Sequence, residues 1–380
     1  MREQPIPILI TIPCLLHGGT EYQTLQLVNV LHGAGYHPVV LVLFEYDSVM
    51  VEQMGEAGAE VRLMTPSGLR PTGLLRIGIA LFNGLRSTLQ EVHPRVVHVQ
   101  YMTPAVLLMG VLKLLGVKSI LATVHTPAHI YSHKWIVRLI SRYATKSFLT
   151  VSRSAEVGFF GGEPALFSLE AFERGRRHFT LYNGITLPPL PSPHWRPPLT
   201  LGVVSRLSYE KGIDILLEAM PKVLREIPTA RLLIVGEGRE RKRLEALADA
   251  LGICASIHWV GLQPKAKLIH YYGQMNIVIV PSRFEGFGLT ALEAMSLGIP
   301  VIVSAVDGLQ EVVELGVSGV CFTPEDSASL AQAITTLGVD RSRRQRLGVA
   351  GRERVASHFS LARYQEATLT LYRMLLAEGS

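Results

Sequence analysis

Two carboxylates, Glu285 and Glu293, flank the run Gly286-Phe287-Gly288-Leu289 with seven residues between them. Glycines in a loop that opens a helix let backbone approach a ligand closely. The helix start contributes unpaired amides and a positive dipole end, so an anion is its natural occupant. Acceptors on either side suit a polyhydroxylated ligand that carries phosphate. Upstream, Arg206 and Lys211 lie in Ser205-Arg206-Leu207-Ser208-Tyr209-Glu210-Lys211-Gly212. They offer a planar fork and a point charge to a diphosphate. Gly18 and Gly19, followed by Glu21, form a second glycine turn ahead of a helix, and Glu237 sits in Gly236-Glu237-Gly238. His125 follows an apolar run in Thr123-Val124-His125-Thr126-Pro127. It reads either as a core histidine or as a hydrogen-bond partner for a ligand hydroxyl, and its place at a strand end favours the second.

Other chemistries fit these residues less well. Arg241 stands where a dinucleotide fingerprint needs its third glycine, and the chain has no Gly-Lys-Ser/Thr loop, so neither a dinucleotide site nor a P-loop is indicated. No Asp-x-Asp pair is present to hold a divalent cation on a diphosphate, so Arg206 and Lys211 are expected to replace the metal. His125, His129 and His133 are four residues apart, but Pro127 disrupts a helix through the first two and no His-Glu-x-x-His occurs. No metal and no cofactor are expected.

Gly18, Gly19, His125, Arg206, Glu237 and the Glu285 loop fall where an apolar run has just ended. Strands are expected near 6–12, 39–44, 60–64, 96–100, 120–124 and 147–151, with helical segments between. Proline density makes 187–198 a linker, and a second alternation follows with strands at 200–205, 231–235, 256–260, 276–280, 301–304 and 319–322. Apolar strands interleaved with helices form parallel sheets covered on both faces, and such sheets bind ligands beyond their carboxyl ends. The expected class is α/β: two doubly wound, Rossmann-like domains at 1–186 and 199–360 facing a central cleft, with a final helical segment at 361–380.

The 37 basic and 31 acidic residues leave a formal charge of +6, which favours acidic small molecules, an anionic membrane face or nucleic acid. The arginine run after Asp340 has no interleaved aromatic residues and reads as a solvated helix face, so nucleic acid is not an expected partner. Three scattered cysteines, Cys14, Cys254 and Cys321, indicate no disulfide framework, which fits a reducing, cytoplasmic compartment. Pro5, Pro7 and Pro13 interrupt the first apolar run, which reads as a strand rather than a signal core. The stretch 105–121 is cut by Lys113, Gly116 and Lys118 and reads as a buried helix followed by a strand. In 129–146, Tyr131, Trp135, Ile136, Leu139, Ile140 and Tyr143 alternate with Lys134, Arg138, Arg142 and Lys146. Two readings stand: a membrane-surface helix, or a half-buried helix with a basic outer face.

The stretch Pro-Ser-Arg-Phe-Glu-Gly-Phe-Gly-Leu-Thr-Ala-Leu-Glu-Ala-Met, with Gly298-Ile299-Pro300-Val301 after it, resembles the Glu-x7-Glu motif of the retaining nucleotide-sugar glycosyltransferases of family 4. These are the group 1 set with the GT-B fold. The 206–211 segment, Gly18-Gly19-Thr20-Glu21, Asn183-Gly184-Ile185 and Val260-Gly261 also match. The resemblance implies that Glu285 contacts sugar hydroxyls, with the amides of Gly286, Phe287, Gly288 and Leu289 around sugar and phosphate. Glu293 would accept from the ribose hydroxyls. Arg206 and Lys211 would neutralise the leaving diphosphate, the Gly18-Gly19 turn would approach phosphate, and His125 would contact the transferred sugar. Glu237 joins the donor-binding set by its strand-end position. The last helix would cross back onto the first domain. Asp307-Gly308 departs from the two glycines many members carry, and Thr126 from an acid frequent in relatives, which leaves sugar specificity open.

The implied activity is metal-independent transfer from a UDP- or GDP-sugar to a glycan or lipid-linked acceptor, in polysaccharide or glycolipid synthesis, with the inner membrane face as a candidate surface. A nucleotide-sugar epimerase or phosphorylase of the same fold, and a catalytically silent nucleotide-sugar-binding protein, remain as alternatives.

Overall fold

A computed structural model of the chain describes residues 5–100, 105–131, 134–189 and 198–377. Residues 190–197 of the expected linker and the spaced His133 lie outside the described residues. The chain divides into two compact units, one of residues 1–183 with 364–380 and one of 184–363.

In the first unit, β-branched and leucine-rich runs form β1 (Pro7–Ile12), β2 (His37–Val42), β3 (Glu60–Leu63), β4 (Val96–Gln100), β5 (Ile120–Val124), β6 (Ser147–Thr150) and β7 (His178–Thr180). They pair in parallel in the order β3-β2-β1-β4-β5-β6-β7. β1, β4, β5 and β6 are buried along their length apart from Pro7, as strands covered on both faces must be. The sequence reading missed β7, whose three residues in Arg-Arg-His-Phe-Thr are too short to show a period. Helix Leu361–Ala377 closes this unit, burying Leu371, Tyr372 and Leu375 in the cluster that holds Ile8, Ile10 and Leu149.

The second unit contains β8 (Thr200–Val204), β9 (Arg231–Val235), β10 (Ile257–Gly261), β11 (Ile277–Val280), β12 (Val301–Ser304) and β13 (Val320–Phe322). All pair in parallel in the order β10-β9-β8-β11-β12-β13. The order of this sheet reverses between β8 and β11, and that of the first sheet between β1 and β4. A doubly wound sheet opens a crevice at such a reversal, beyond the carboxyl ends of the two strands. The arginine run opens helix Arg341–His358, capped by the Asp340 carboxylate. Arg344 departs from the expected solvated face: it turns inward, and its Nη1 donates to the carbonyls of Leu337 and Gly338 that end the preceding helix.

Candidate functional site

In the second unit, β8 and β11 stop side by side and their two following loops carry most of the residues singled out above. Gly212 joins them: φ is +61°, and a Cβ there would overlap the Pro281 carbonyl, so the Lys211 turn lies against the start of the Glu285 loop. Lys211 Nζ lies 2.7 Å from Glu285 Oε2, and each side chain is about one-fifth exposed. Ser282 Oγ donates to the same carboxylate oxygen at 3.3 Å. Arg206, in the same loop as Lys211, is mostly exposed, with Nη2 3.6 Å from Glu210 Oε1.

The Glu285 loop then enters helix Leu289–Ser296 with Gly288 as its N-cap and Phe287 buried against Phe359. Thr290 Oγ1 donates to the Val204 carbonyl at 3.1 Å, which pins this helix start over the end of β8. Asp307, the departure from the family's paired glycines, has φ +36°. Its carboxylate accepts from the Glu285 amide at 3.3 Å, a bond that a glycine there would not make. Glu293 faces inward from one turn inside the helix, accepting from Tyr272 Oη at 2.8 Å, with Lys265 Nζ 3.8 Å away. Burial first, then the nearby Glu293 charge, pushes the Tyr272 phenol well above its usual range, so it stays a donor.

Two residues that fix this geometry were not picked out by sequence reasoning. Arg283 Nη1 donates to Asp214 Oδ1 at 2.9 Å and Nη2 to Asp214 Oδ2 at 3.1 Å, a two-pronged pair with both side chains about nine-tenths buried. The Arg283 amide also donates to the Glu210 carbonyl, its Nη1 to the Tyr209 carbonyl, and its guanidinium stacks 4.0 Å from the Tyr209 ring. Arg283 therefore latches the loop after β11 onto the loop after β8.

The Gly236-Glu237-Gly238 turn has a packing explanation. At Gly236, φ is +137° and a Cβ would overlap the Ser205 carbonyl; one at Gly238 would overlap that of Leu207. The Leu207 amide donates to the Glu237 carbonyl at 2.9 Å, so the turn braces the Arg206 loop from its other side. The Glu237 side chain is itself half-exposed and lies 3.5 Å from Arg241 Nη1. Gly236→Ala is expected to destabilise the chain by about 2 kcal/mol through this overlap. Chemical denaturation would check it, and an unchanged midpoint would show that the turn has room to spare.

In the first unit, Gly18 caps helix Gly19–Gly33, and the buried Glu21 folds back so that its carboxylate occupies the space beside Gly18. His125 stands just past β5, next to the end of β4. Its Nε2 donates to Gln100 Oε1 at 2.7 Å, and Gln100 Nε2 lies 3.2 Å from His98 Nε2. His98 Nε2 also meets Thr123 Oγ1 at 2.7 Å, and its Nδ1 meets Tyr372 Oη at 2.6 Å. Burial holds His125 down to about 4, while burial and then the His125 charge hold His98 down to about 3, so both rings are neutral at pH 7. With Nε2–H given to Gln100, the acceptor nitrogen of His125 is Nδ1, suited to a ligand hydroxyl rather than an anion. Gln100 and His98 had a sequence signal: polar residues two apart on one face of an otherwise apolar strand.

The residues singled out thus form two groups: Arg206, Lys211, Glu237, Glu285, Gly286, Phe287, Gly288, Leu289 and Glu293 in the second unit, and Gly18, Gly19 and His125 in the first. Among the described residues no group of three His, Cys, Asp or Glu side chains is placed to hold a metal ion.

Comparison with known proteins draws on both units. Residues 194–354 match the family model described as glycosyl transferases group 1, and residues 17–157 match the model of glycosyltransferase family 4. An uncharacterized glycosyltransferase of Methanocaldococcus jannaschii is 34% identical over 173 residues, 46% of this chain and 44% of that protein. A glycogen synthase of Mycobacterium tuberculosis is 34% identical over 207 residues, 53% of this chain and 50% of that protein. The matched regions therefore span about half the length of these curated relatives. Among solved structures, a sucrose-phosphate synthase from Thermosynechococcus elongatus superposes with a TM-score of 0.78 at 23% identity, covering 98% of this chain and 100% of that one. Anabaena HepE in complex with UDP-glucose gives a TM-score of 0.78 at 18% identity, covering 97% and 100%. These likenesses show the fold.

Proposed function

This chain belongs to the group 1 glycosyltransferases of family 4, with the GT-B fold, and from that premise we propose that it transfers a sugar from a UDP- or GDP-sugar to an acceptor hydroxyl, with retention of configuration and without a metal ion. The observation that carries the reading is the convergence of Lys211, Glu285 and the Gly286–Leu289 helix start where β8 and β11 end together, with Arg206 at the rim. A nucleoside diphosphate needs cations and oriented amides at its phosphates, and its sugar needs acceptors at its hydroxyls. The second unit offers both within two adjoining loops. The UDP-glucose complex of a protein with the same fold agrees with a donor of this class.

Transfer must stabilise two developing charges: the leaving diphosphate and the cationic sugar. Arg206, Lys211 and the helix dipole act on the first, preorganised in a partly desolvated site. Glu285, held by Lys211 and Ser282, accepts from sugar hydroxyls away from the anomeric carbon, and Glu293 accepts from the ribose. Glu237 completes the donor-side set as a half-exposed acceptor at the end of β9. In the first unit the Gly18-Gly19 turn approaches phosphate, and the neutral His125 ring hydrogen-bonds a hydroxyl of the transferred sugar. The bond between the anomeric carbon and the diphosphate oxygen breaks, the acceptor oxygen bonds the same face, and its proton passes to an oxygen of the leaving phosphate. The acceptor is a glycan or a lipid-linked sugar, and the setting is the reducing cytoplasm.

The test is a nucleotide-sugar screen by thermal shift, followed by transfer assays with and without EDTA. A UDP- or GDP-sugar is expected to raise the melting temperature and to support transfer that EDTA leaves unchanged. Activity lost to EDTA and restored by a divalent cation would overturn the metal-free step. A product of inverted configuration would overturn retention.

A further inference from the structure

One face of the first unit is covered by three neighbouring helices, Leu74–Val92, Ala105–Leu114 and Lys134–Ala144. Their sequences hold six basic residues (two, one and three respectively) and a single acid, Glu91, which pairs with Arg62. Such a sign imbalance within one layer exceeds what the chain's 37 basic and 31 acidic residues would spread evenly.

Helix Lys134–Ala144 turns Val137, Ser141 and Ala144 inward. Its outer surface carries two rows four residues apart. Trp135, Leu139 and Tyr143 form an apolar row that is 64%, 49% and 68% exposed. Lys134, Arg138 and Arg142 form a basic row beside it. The outer face is therefore both basic and apolar, the surface that the membrane-surface reading of this stretch calls for. Among the described residues no carboxylate lies within ion-pair distance of Arg138 or Arg142, although Arg138 Nε donates to the Phe159 carbonyl. A second apolar point lies on the same helical layer, where Leu74 and Leu75, at 79% and 78% exposure, open helix Leu74–Val92. Beside the basic row is a groove of about 280 Å³, walled by Arg138, Arg142 and Arg177 and backed by Phe148 and Phe160.

We propose that this layer docks the chain on an anionic bilayer, with the apolar row sunk into the headgroup boundary and the arginine-walled groove holding a phospholipid phosphate. Trp and Tyr at the ends of an exposed row are residues that settle at a membrane interface. Arginines beside them bury their stems and keep their guanidinium groups at the level of lipid phosphates. A protein partner would need acidic groups to meet an acid-free basic row, whereas a sheet of phosphodiesters supplies that charge along the whole face. The proposal does not depend on the transferase reading, because its readout is binding alone.

The experiment is flotation of the full chain with vesicles of phosphatidylglycerol and phosphatidylcholine, against vesicles of phosphatidylcholine only, at low and high salt. The chain is expected to float with the anionic vesicles, to stay behind with the neutral ones, and to be released by salt. Arg138→Glu with Arg142→Glu should weaken partitioning by about a hundredfold, and Trp135→Ser with Leu139→Ser by about tenfold. Arg177→Glu, on a different element, should weaken it by about tenfold if the groove holds phosphate. Thermal unfolding of each variant confirms that it folds. Absence of flotation, equal flotation with both vesicles, or unchanged flotation of the Arg138/Arg142 variant would overturn the bilayer. A concentration-dependent dimer that the Trp135/Leu139 variant abolishes, without flotation, would assign the face to a second copy instead. Unchanged flotation of the Arg177 variant alone would overturn the groove.

Discussion

Lys211→Ala is expected to lower kcat/KM for the nucleotide sugar by about a thousandfold, or ~4 kcal/mol of transition-state stabilisation, with little change in thermal stability. Lys211 Nζ is 2.7 Å from Glu285 in a site only about one-fifth exposed, where a unit charge acts more strongly than in water. On the proposed reading, removing it takes away a cation for the departing diphosphate, and it leaves Glu285 without its ion partner. The two consequences separate in a double-mutant cycle with Glu285→Ala. If Lys211 acted only by positioning Glu285, the double variant would be no slower than Glu285→Ala. A direct role at the diphosphate instead predicts a further loss, with kcat falling more than KM rises. Lys211→Arg should recover part of the rate because charge is kept and geometry is not. Activity within threefold of the unaltered chain for Lys211→Ala would remove this residue from the reaction.

Much of this architecture was legible because parallel strands buried on both faces leave long apolar runs, and the helices between them begin at glycine turns. Five of the six sequence-located strands in the first unit agree with observed strands to within one residue at either end, and the sixth, expected at 39–44, is displaced two residues past β2 at both ends. β7 was not legible because three residues carry no period. Among the candidate site positions, the visible ones have side chains at strand ends: Arg206, Lys211, Glu285 and His125. What stayed hidden are the partners that hold them. Gln100 sets the His125 tautomer from a neighbouring strand, and Asp307 reaches the Glu285 amide from 22 residues away. Nothing local in the sequence joins such pairs, since each contact exists only once the sheet has been ordered. The Gly236-Glu237-Gly238 turn shows the converse. It looked like a weak nucleotide signal, and its glycines are accounted for by overlap with the backbone of the Arg206 loop.

Arg283 is the clearest hidden partner, and its loss should be the largest single stability effect in the second unit. Arg283→Met is expected to cost about 3 kcal/mol at pH 7 and to raise KM for the donor. The reason is what remains behind. Asp214 keeps Arg243, whose Nη2 is 3.1 Å away, but loses the two-pronged partner in a site where both side chains are about nine-tenths buried. Burial pushes the Asp214 carboxyl up, and hydrogen bonds from Arg283 and then Arg243 outweigh it, holding it below the usual carboxylate range. A depressed folded pKa contributes stability that is present above the unfolded value of about 4 and is lost as pH falls through the folded value. The difference between the unaltered chain and Arg283→Met should therefore be full at neutral pH and should shrink as pH falls below about 4 and on through the depressed folded value of Asp214 in the unaltered chain. Adding Asp214→Asn to Arg283→Met should recover part of the loss at pH 7, because no buried carboxylate is then left short of a partner. Denaturant titrations at neutral and acid pH decide the matter. A loss that is the same at both would place the effect in the stacking of Arg283 on Tyr209 rather than in its charge. No loss at all would mean that the two loops stay joined without the latch, through the Gly212 approach to Pro281 and the Arg283 amide alone.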